Sequence, residues 1–133
     1  MCRYEPDKSR EYSQTGRIIL IKVYVAGDYS ADNVIDVLKN IARGQKVAAT
    51  LFEDGFAPFC PWWDRSFVLD NPEGTYTKEM FYRASIEWLK VSDVMLVISG
   101  DGNDGGVDDE IKIAEEMGIP VFYNEDDLYG LEP

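Results

Sequence analysis

Apolar residues in this chain recur with two different periods, and the alternation between them predicts the order of its elements. Arg17 to Ala26 (RIILIKVYVA) is β-branched and nearly continuous in apolar character, which predicts a strand central in a sheet. Gly27 to Ser30 (GDYS) reads as a turn, and Asp32 or Ser30 can cap the helix that follows. Val34, Ile35, Val37, Leu38, Ile41, Ala42, Val47, Ala48, Leu51 and Phe52 keep helical period down to Asp54. Gly55 ends that helix, and Phe56 to Phe59 is a short second strand. Pro58, Pro61 and the Trp62–Trp63 pair open an irregular segment reaching about Tyr76. Thr77 caps a helix over Lys78 to Val91, with Met80, Phe81, Ala84, Trp88 and Leu89 on one face. Val94 to Ile98 is an unbroken apolar run of strand length. After a glycine-rich acidic loop, Glu110, Ile111, Ile113, Ala114 and Met117 fall at helical spacing, closed by Gly118. Ile119 to Tyr123 reads as a last strand, and Glu125 to Leu131 as a final short helical turn.

Strands separated by helices imply right-handed crossovers and an α/β fold, with a four-stranded parallel sheet between helical layers. The simplest strand order is 2-1-3-4, with the switch point between strands 1 and 3. Ligands of such sheets bind beyond the carboxyl ends of the strands, at that switch point. Three segments should therefore meet there: Ala26 to Ser30, the Pro-Trp loop, and the acidic glycine loop from Gly100 to Gly106. Met1 to Gly16 is polar and without period and reads as a flexible arm, which leaves 17–133 as one domain.

At 133 residues the chain has the size of one domain. Its formal charge of −12 argues against nucleic acid, because phosphate recognition needs clustered Lys and Arg. With no histidine at all, Ser-His-Asp and Cys-His catalysis are excluded. Zinc is disfavoured for the same reason, since Cys2 and Cys60 are far apart, and no metal or cofactor is expected. A reduced intracellular pair is the expectation for those cysteines. No signal-like apolar region opens the chain, and no stretch approaches the roughly 20 apolar residues of a membrane span. The expected compartment is the cytoplasm.

The acidic loop admits two readings. Asp104, Asp108 and Asp109 are what a solvated turn and a helix N-terminus favour electrostatically. Alternatively, one carboxylate acts as nucleophile or base while a second acid assists, an economy natural to glycosyl transfer. Glu110, one turn into the helix and facing the crevice, is the candidate. Tyr24 could be a core aromatic, or its phenol could hold a carboxylate in place. The Ala26-Gly27-Asp28-Tyr29 turn carries no basic residue and makes a poor phosphate cradle, so an uncharged nucleoside fits the charge pattern better than a nucleotide. Trp62 and Trp63 could cover a sheet edge or stack on a planar base.

Together, VYVAGDYSA (Val23 to Ala31), Asn40 with Ile41, GFAPFCP (Gly55 to Pro61), EWLKVSD (Glu87 to Asp93) and GGVDDEIKIAEEMGIPV (Gly105 to Val121) resemble the nucleoside 2-deoxyribosyltransferase-like superfamily. The closer likeness is to its short bacterial and phage branch with an AGPYS-type first turn. The resemblance spans about Val23 to Tyr123, with the motifs in order and at compatible spacing. It implies a flavodoxin-like three-layer fold of four or five parallel strands, and cleavage of an N-glycosidic bond through a covalent glycosyl-glutamate. Transfer to a second base or hydrolysis by water would follow. Glu110 matches the nucleophile, Asp104 an acidic residue that binds sugar or base, and Tyr24 the tyrosine that orients the nucleophile. Ala26, Gly27, Asp28, Tyr29, Pro61, Trp62, Trp63, Gly100, Asp101, Gly105 and Gly106 complete the expected substrate-binding set, together with Ser85. Ser85 is also a departure, standing where better-known members carry an aspartate. Asp101, Asp104 or Glu87 would then have to assist base departure. The resemblance further implies a homodimer or higher oligomer, with the Met80–Trp88 helix as a contact surface. Two other functions stay open: a non-catalytic module that binds a nucleoside-like metabolite, and a deoxynucleoside 5′-monophosphate N-hydrolase using Arg65 or Arg83 for the phosphate.

Overall fold

The structure is a computed structural model, and it describes residues 20–28, 31–61, 64, 66–98 and 105–131, the side chains of 105 and 106 excepted. The expected arm at Met1 to Gly16 lies outside these residues. The elements are β1 (Lys22–Gly27), α1 (Val34–Glu53), β2 (Ala57–Phe59), α2 (Ser66–Asp70), α3 (Lys78–Lys90), β3 (Val94–Ile98), α4 (Gly105–Glu116), β4 (Val121–Phe122) and α5 (Glu125–Tyr129). The sheet is four-stranded, in the order β2-β1-β3-β4, with every pairing parallel. This is the α/β flavodoxin-like fold, with the strand order the periodicity predicts.

Strand β1 shows why the sheet is covered on both faces. Val23 and Val25 enter one core with Val94, Leu96, Leu51 of α1, Phe56 and Leu128 of α5. Tyr24 and Ala26 enter the other core, with Met95, Ile86 and Leu89 of α3, and Ala114 of α4. All four β1 residues are essentially inaccessible, at 1% exposure or less. Successive side chains of a strand point to opposite faces, so an unbroken apolar run feeds two helical layers at once.

Two glycines close helices with one device. Gly55 at φ 95° and Gly118 at φ 73° occupy the left-handed region that a side chain disfavours. After α1, Phe56 N–H donates to the Leu51 carbonyl and Gly55 N–H to that of Phe52; after α4, Ile119 and Gly118 repeat the pattern on Ala114 and Glu115. Each stop turns the chain directly into the next strand.

The local differences from the sequence expectations have physical causes. The cap of α1 is Asn33, whose side chain accepts from the Asp36 N–H, and not Asp32; Ser30 lies outside the described residues. Asn33 stands directly before the first helical residue, where a cap must sit. Helix α2 falls inside the segment expected to be irregular; the Tyr76 hydroxyl, shared between the Phe67 and Asn71 carbonyls, satisfies its end. The inward face of α3 is Ser85, Ile86 and Leu89, whereas Met80 and Trp88 are about half exposed. Choosing that face by apolarity alone rotates the helix away from its true contacts, because the buried face includes a polar residue, Ser85.

Candidate active site

Tyr24 is placed by its strand. In the middle of β1 it is flanked by Phe59 of β2 and Met95 of β3 in register, and its ring stacks on Phe59 at 5.8 Å. Phe59 in turn stacks on Trp88 at 5.3 Å, so the strand side chain is clamped by aromatics. Its even position in β1 aims it at the α3–α4 layer. There the phenol donates to Glu110 Oε1 at 3.2 Å, and Ser85 is buried on the inward face of α3 in the same layer. β1 and α4 thus meet in one hydrogen bond, from Tyr24 to Glu110.

The electrostatics of the pair are consistent. Burial pushes the Tyr24 phenol far above its ordinary value, and the Glu110 charge adds to that. The Ser85 hydrogen bond works in the opposite direction, the hydrogen bond to Glu110 pushes upward again, and the charge of Asp64 adds a last increment. The phenol is therefore a neutral donor at any physiological pH. Glu110 is half-buried, one turn into α4. One of its oxygens is engaged by Tyr24. Tyr82, from the turn of α3 before Ser85, stands beside the same carboxylate. Its phenol is raised first by burial, then by the charges of Asp109 and Glu110.

The remaining expected site residues distribute as follows. Ala26 is 1% exposed and packs in the α3–α4 core, so its side chain faces inward. Gly27 is buried at the carboxyl end of β1, where a Cβ would stand 2.5 Å from Ile98 Cγ1; only glycine lets the two strand ends approach this closely. Asp28 is half-buried just beyond it, and Pro61 lies in a single turn after β2. Ser85 is 7% exposed, buried on the inward face of α3. Gly105 and Gly106 belong to the first turn of α4 and not to a preceding loop. Tyr29, Trp62, Trp63, Gly100, Asp101 and Asp104 lie outside the described residues, as does Arg65. Glu87 is turned away from the site: its side chain is 75% exposed and pairs with Lys90 at 3.3 Å. Arg83 is also outward, lining a hollow with Thr77, Glu79 and Met80.

Two neighbours of the pair escaped the sequence reading. Asp64 sits in the irregular segment after β2, where nothing local distinguishes one aspartate from another. Tyr82 could have been found from its spacing, three residues before Ser85 on the same helical face. On the opposite side of the sheet, a hollow of about 360 Å³ opens at the ends of β3 and β4, lined by Ile98, Tyr123, Asn124 and Arg43 among others. Among the described residues no cluster of His, Cys, Asp and Glu is arranged to hold a metal ion, and no helix is long and apolar enough to cross a membrane.

The family described as a domain of unknown function (DUF7768) matches residues 21–124, which include all four strands. Comparison with curated proteins gives no match. Among solved structures, the chain is similar to a 2-deoxyribosyltransferase from the psychrotolerant bacterium Bacillus psychrosaccharolyticus. The identity is 21% and the TM-score 0.56, over 84% of this chain and 92% of that one. That likeness shows a common fold.

Proposed function

We propose that this chain, which belongs to the family described as a domain of unknown function (DUF7768), cleaves or transfers the N-glycosidic bond of a nucleoside or similar small ribosylated compound. The observation that carries the reading is the Tyr24–Glu110 hydrogen bond of 3.2 Å, which joins β1 to α4. The fold shared with a 2-deoxyribosyltransferase supports it, as does the absence of histidine, which leaves carboxylates as the natural catalysts.

In this reading a Glu110 carboxylate oxygen attacks C1 of the sugar. The C1–N bond breaks, its electron pair departs with the base, and the base takes up a proton. The result is a glycosyl ester on Glu110, which a second base or water then resolves. Tyr24 holds one Glu110 oxygen so that the other is presented to the sugar, at the cost of no reorganisation during the reaction. Asp104 binds the sugar or the base, and Trp62 and Trp63 cover the base. A second copy of the chain packs on the exposed Met80–Trp88 side of α3.

The test is incubation with a panel of deoxynucleosides and ribonucleosides, followed by chromatography for free base. Base release by the native protein, lost by at least about a thousandfold in Glu110→Ala at unchanged melting temperature, is the expected result. Full activity in Glu110→Ala would sink the assignment. Ligand-induced thermal stabilisation without any base release would instead identify a binding module.

A further inference from the structure

We propose that Phe59 and Trp88 are positioning residues: the stack of three rings from Trp88 through Phe59 to Tyr24 keeps the Tyr24 hydroxyl in line with Glu110. The inference rests on the reading of Glu110 as the nucleophile. It brings a half-exposed side chain of α3 into the machinery without giving it any contact with substrate.

Strand register places Phe59 of β2, Tyr24 of β1, Met95 of β3 and Val121 of β4 in one row across the sheet, all in the α3–α4 core. Tyr24 sits inside that row, between Phe59 and Met95. On the Met95 side the row is closed: Met95 is inaccessible, and Val121 stands behind it. On the other side the row ends at Phe59, because β2 is an edge strand of only three residues. A side chain on an edge strand has a cross-strand partner on one side only. Trp88 supplies the missing support from α3. Its ring stacks on Phe59 at 5.3 Å with 26° between the planes, and Phe59 stacks on Tyr24 at 5.8 Å and 30°. Both separations lie where offset aromatic pairs attract beyond the area they bury. The hydrogen bond at the inner end makes this support matter. At 3.2 Å it is longer than the roughly 2.8 Å typical of hydroxyl donors, so the ring has little room to retreat before the bond is lost. Removing the Trp88 ring opens space outside Phe59, into which Phe59 can tilt and Tyr24 can follow. Ile86 and Leu89 of the same helix are buried in the core, whereas Trp88 is about half exposed. Its loss therefore disturbs the alignment of the row more than the cohesion of the fold.

The experiment measures steady-state kinetics on whichever nucleoside the native protein cleaves, with thermal melts to verify folding. It compares native protein, Trp88→Leu, Trp88→Phe, Tyr24→Phe, and Tyr24→Phe combined with Trp88→Leu. Trp88→Leu is expected to lower kcat about threefold to tenfold with KM within about twofold, the worth of one aromatic pair expressed in the transition state. Trp88→Phe, which keeps a ring against Phe59, should stay within about twofold of native. The double variant separates positioning from packing. Once Tyr24 has lost its hydroxyl, Trp88→Leu should cost less than about a further twofold, since the group it positions is gone. Equal costs of Trp88→Leu in the two backgrounds would overturn the proposal, because an effect on packing alone adds. So would an unchanged kcat in folded Trp88→Leu, or a rise in KM alone. Trp88 lies on the side proposed to meet a second copy, so Met80→Ala, on that side and outside the stack, is the control. A loss of kcat in Met80→Ala equal to that in Trp88→Leu would overturn the proposal in favour of subunit association. If Trp88→Leu does not fold, Phe59→Leu takes its place in the same cycle with the same expected result. If Glu110→Ala abolishes turnover while Trp88→Leu leaves it intact, only this inference fails. If the native protein releases no base, it fails together with the reading of Glu110.

Discussion

The molecule contains two tyrosine–carboxylate pairs of opposite character. On the α1–α5 side, Tyr129 donates to Asp54 Oδ2 at 2.7 Å. Asp54 is the C-cap of α1, only 3% exposed, and Tyr129 comes from the last helix, its ring 5.7 Å from Phe56. That pair is closed: it ties α5 over the end of α1 and leaves the carboxylate no open approach. On the α3–α4 side the hydrogen bond is longer, 3.2 Å, the tyrosine is the buried partner, and the carboxylate is the half-open one. A short bond to a sealed carboxylate is a fastening. Under the proposed function, the longer bond to the half-buried carboxylate holds a group that does chemistry. The two pairs use the same functional groups, and the difference lies in which member faces out.

Tyr24→Phe and Tyr129→Phe put this contrast to the test. The first should cost about tenfold to a hundredfold in kcat on a cleaved nucleoside, at nearly native KM, since Glu110 loses its holder. The second should leave kcat within about twofold but destabilise the fold by about 1–3 kcal/mol, because Asp54 is left buried without its donor. Urea denaturation at constant slope would measure that loss. An activity defect from Tyr129→Phe as large as that from Tyr24→Phe would dissolve the distinction. A smaller effect is expected at high pH. Burial and the Glu110 charge raise Tyr24, and burial followed by the Asp54 hydrogen bond raises Tyr129. Both folded phenols keep their protons above the unfolded value near 10. Their contribution is thus fully present below pH 10 and is lost as pH climbs further. For Tyr24 the slope approaches about 1.4 kcal/mol per pH unit, and the more solvent-screened Tyr129 adds less. Alkaline melting curves should therefore flatten more in Tyr24→Phe than in Tyr129→Phe.

Much of this arrangement is legible in the sequence. Val94–Ile98 and the long helix after β1 stand where their periods place them. Gly55 and Gly118 stop helices as their positions imply, and Thr77 caps α3 through the Met80 N–H. Strand order 2-1-3-4 follows from alternation and crossover handedness alone. What period cannot convey is a polar residue turned inward. Ser85 breaks the apolar face of α3, so the sequence pattern favours Met80 and Trp88, which the structure leaves half exposed. Helix α2 escapes for another reason: Phe67, Val68 and Leu69 are at least 41% exposed, so no buried stripe marks it. Tyr24 and Glu110 were recognisable as candidates, but their meeting across 86 positions of chain is a product of the sheet. Asp64 reaches the same place through a segment with no period at all.

The alternation along β1 carries one more consequence. Cohesion on one side of the sheet depends on Val23 and Val25, and the phenol on the other depends on Tyr24 between them. Deleting or inserting a single residue upstream within this strand would exchange the two sets, sending the hydroxyl among aliphatic neighbours and a valine toward Glu110. Under the proposed function, the parity of the six-residue β1 segment constrains the site as well as the two cores.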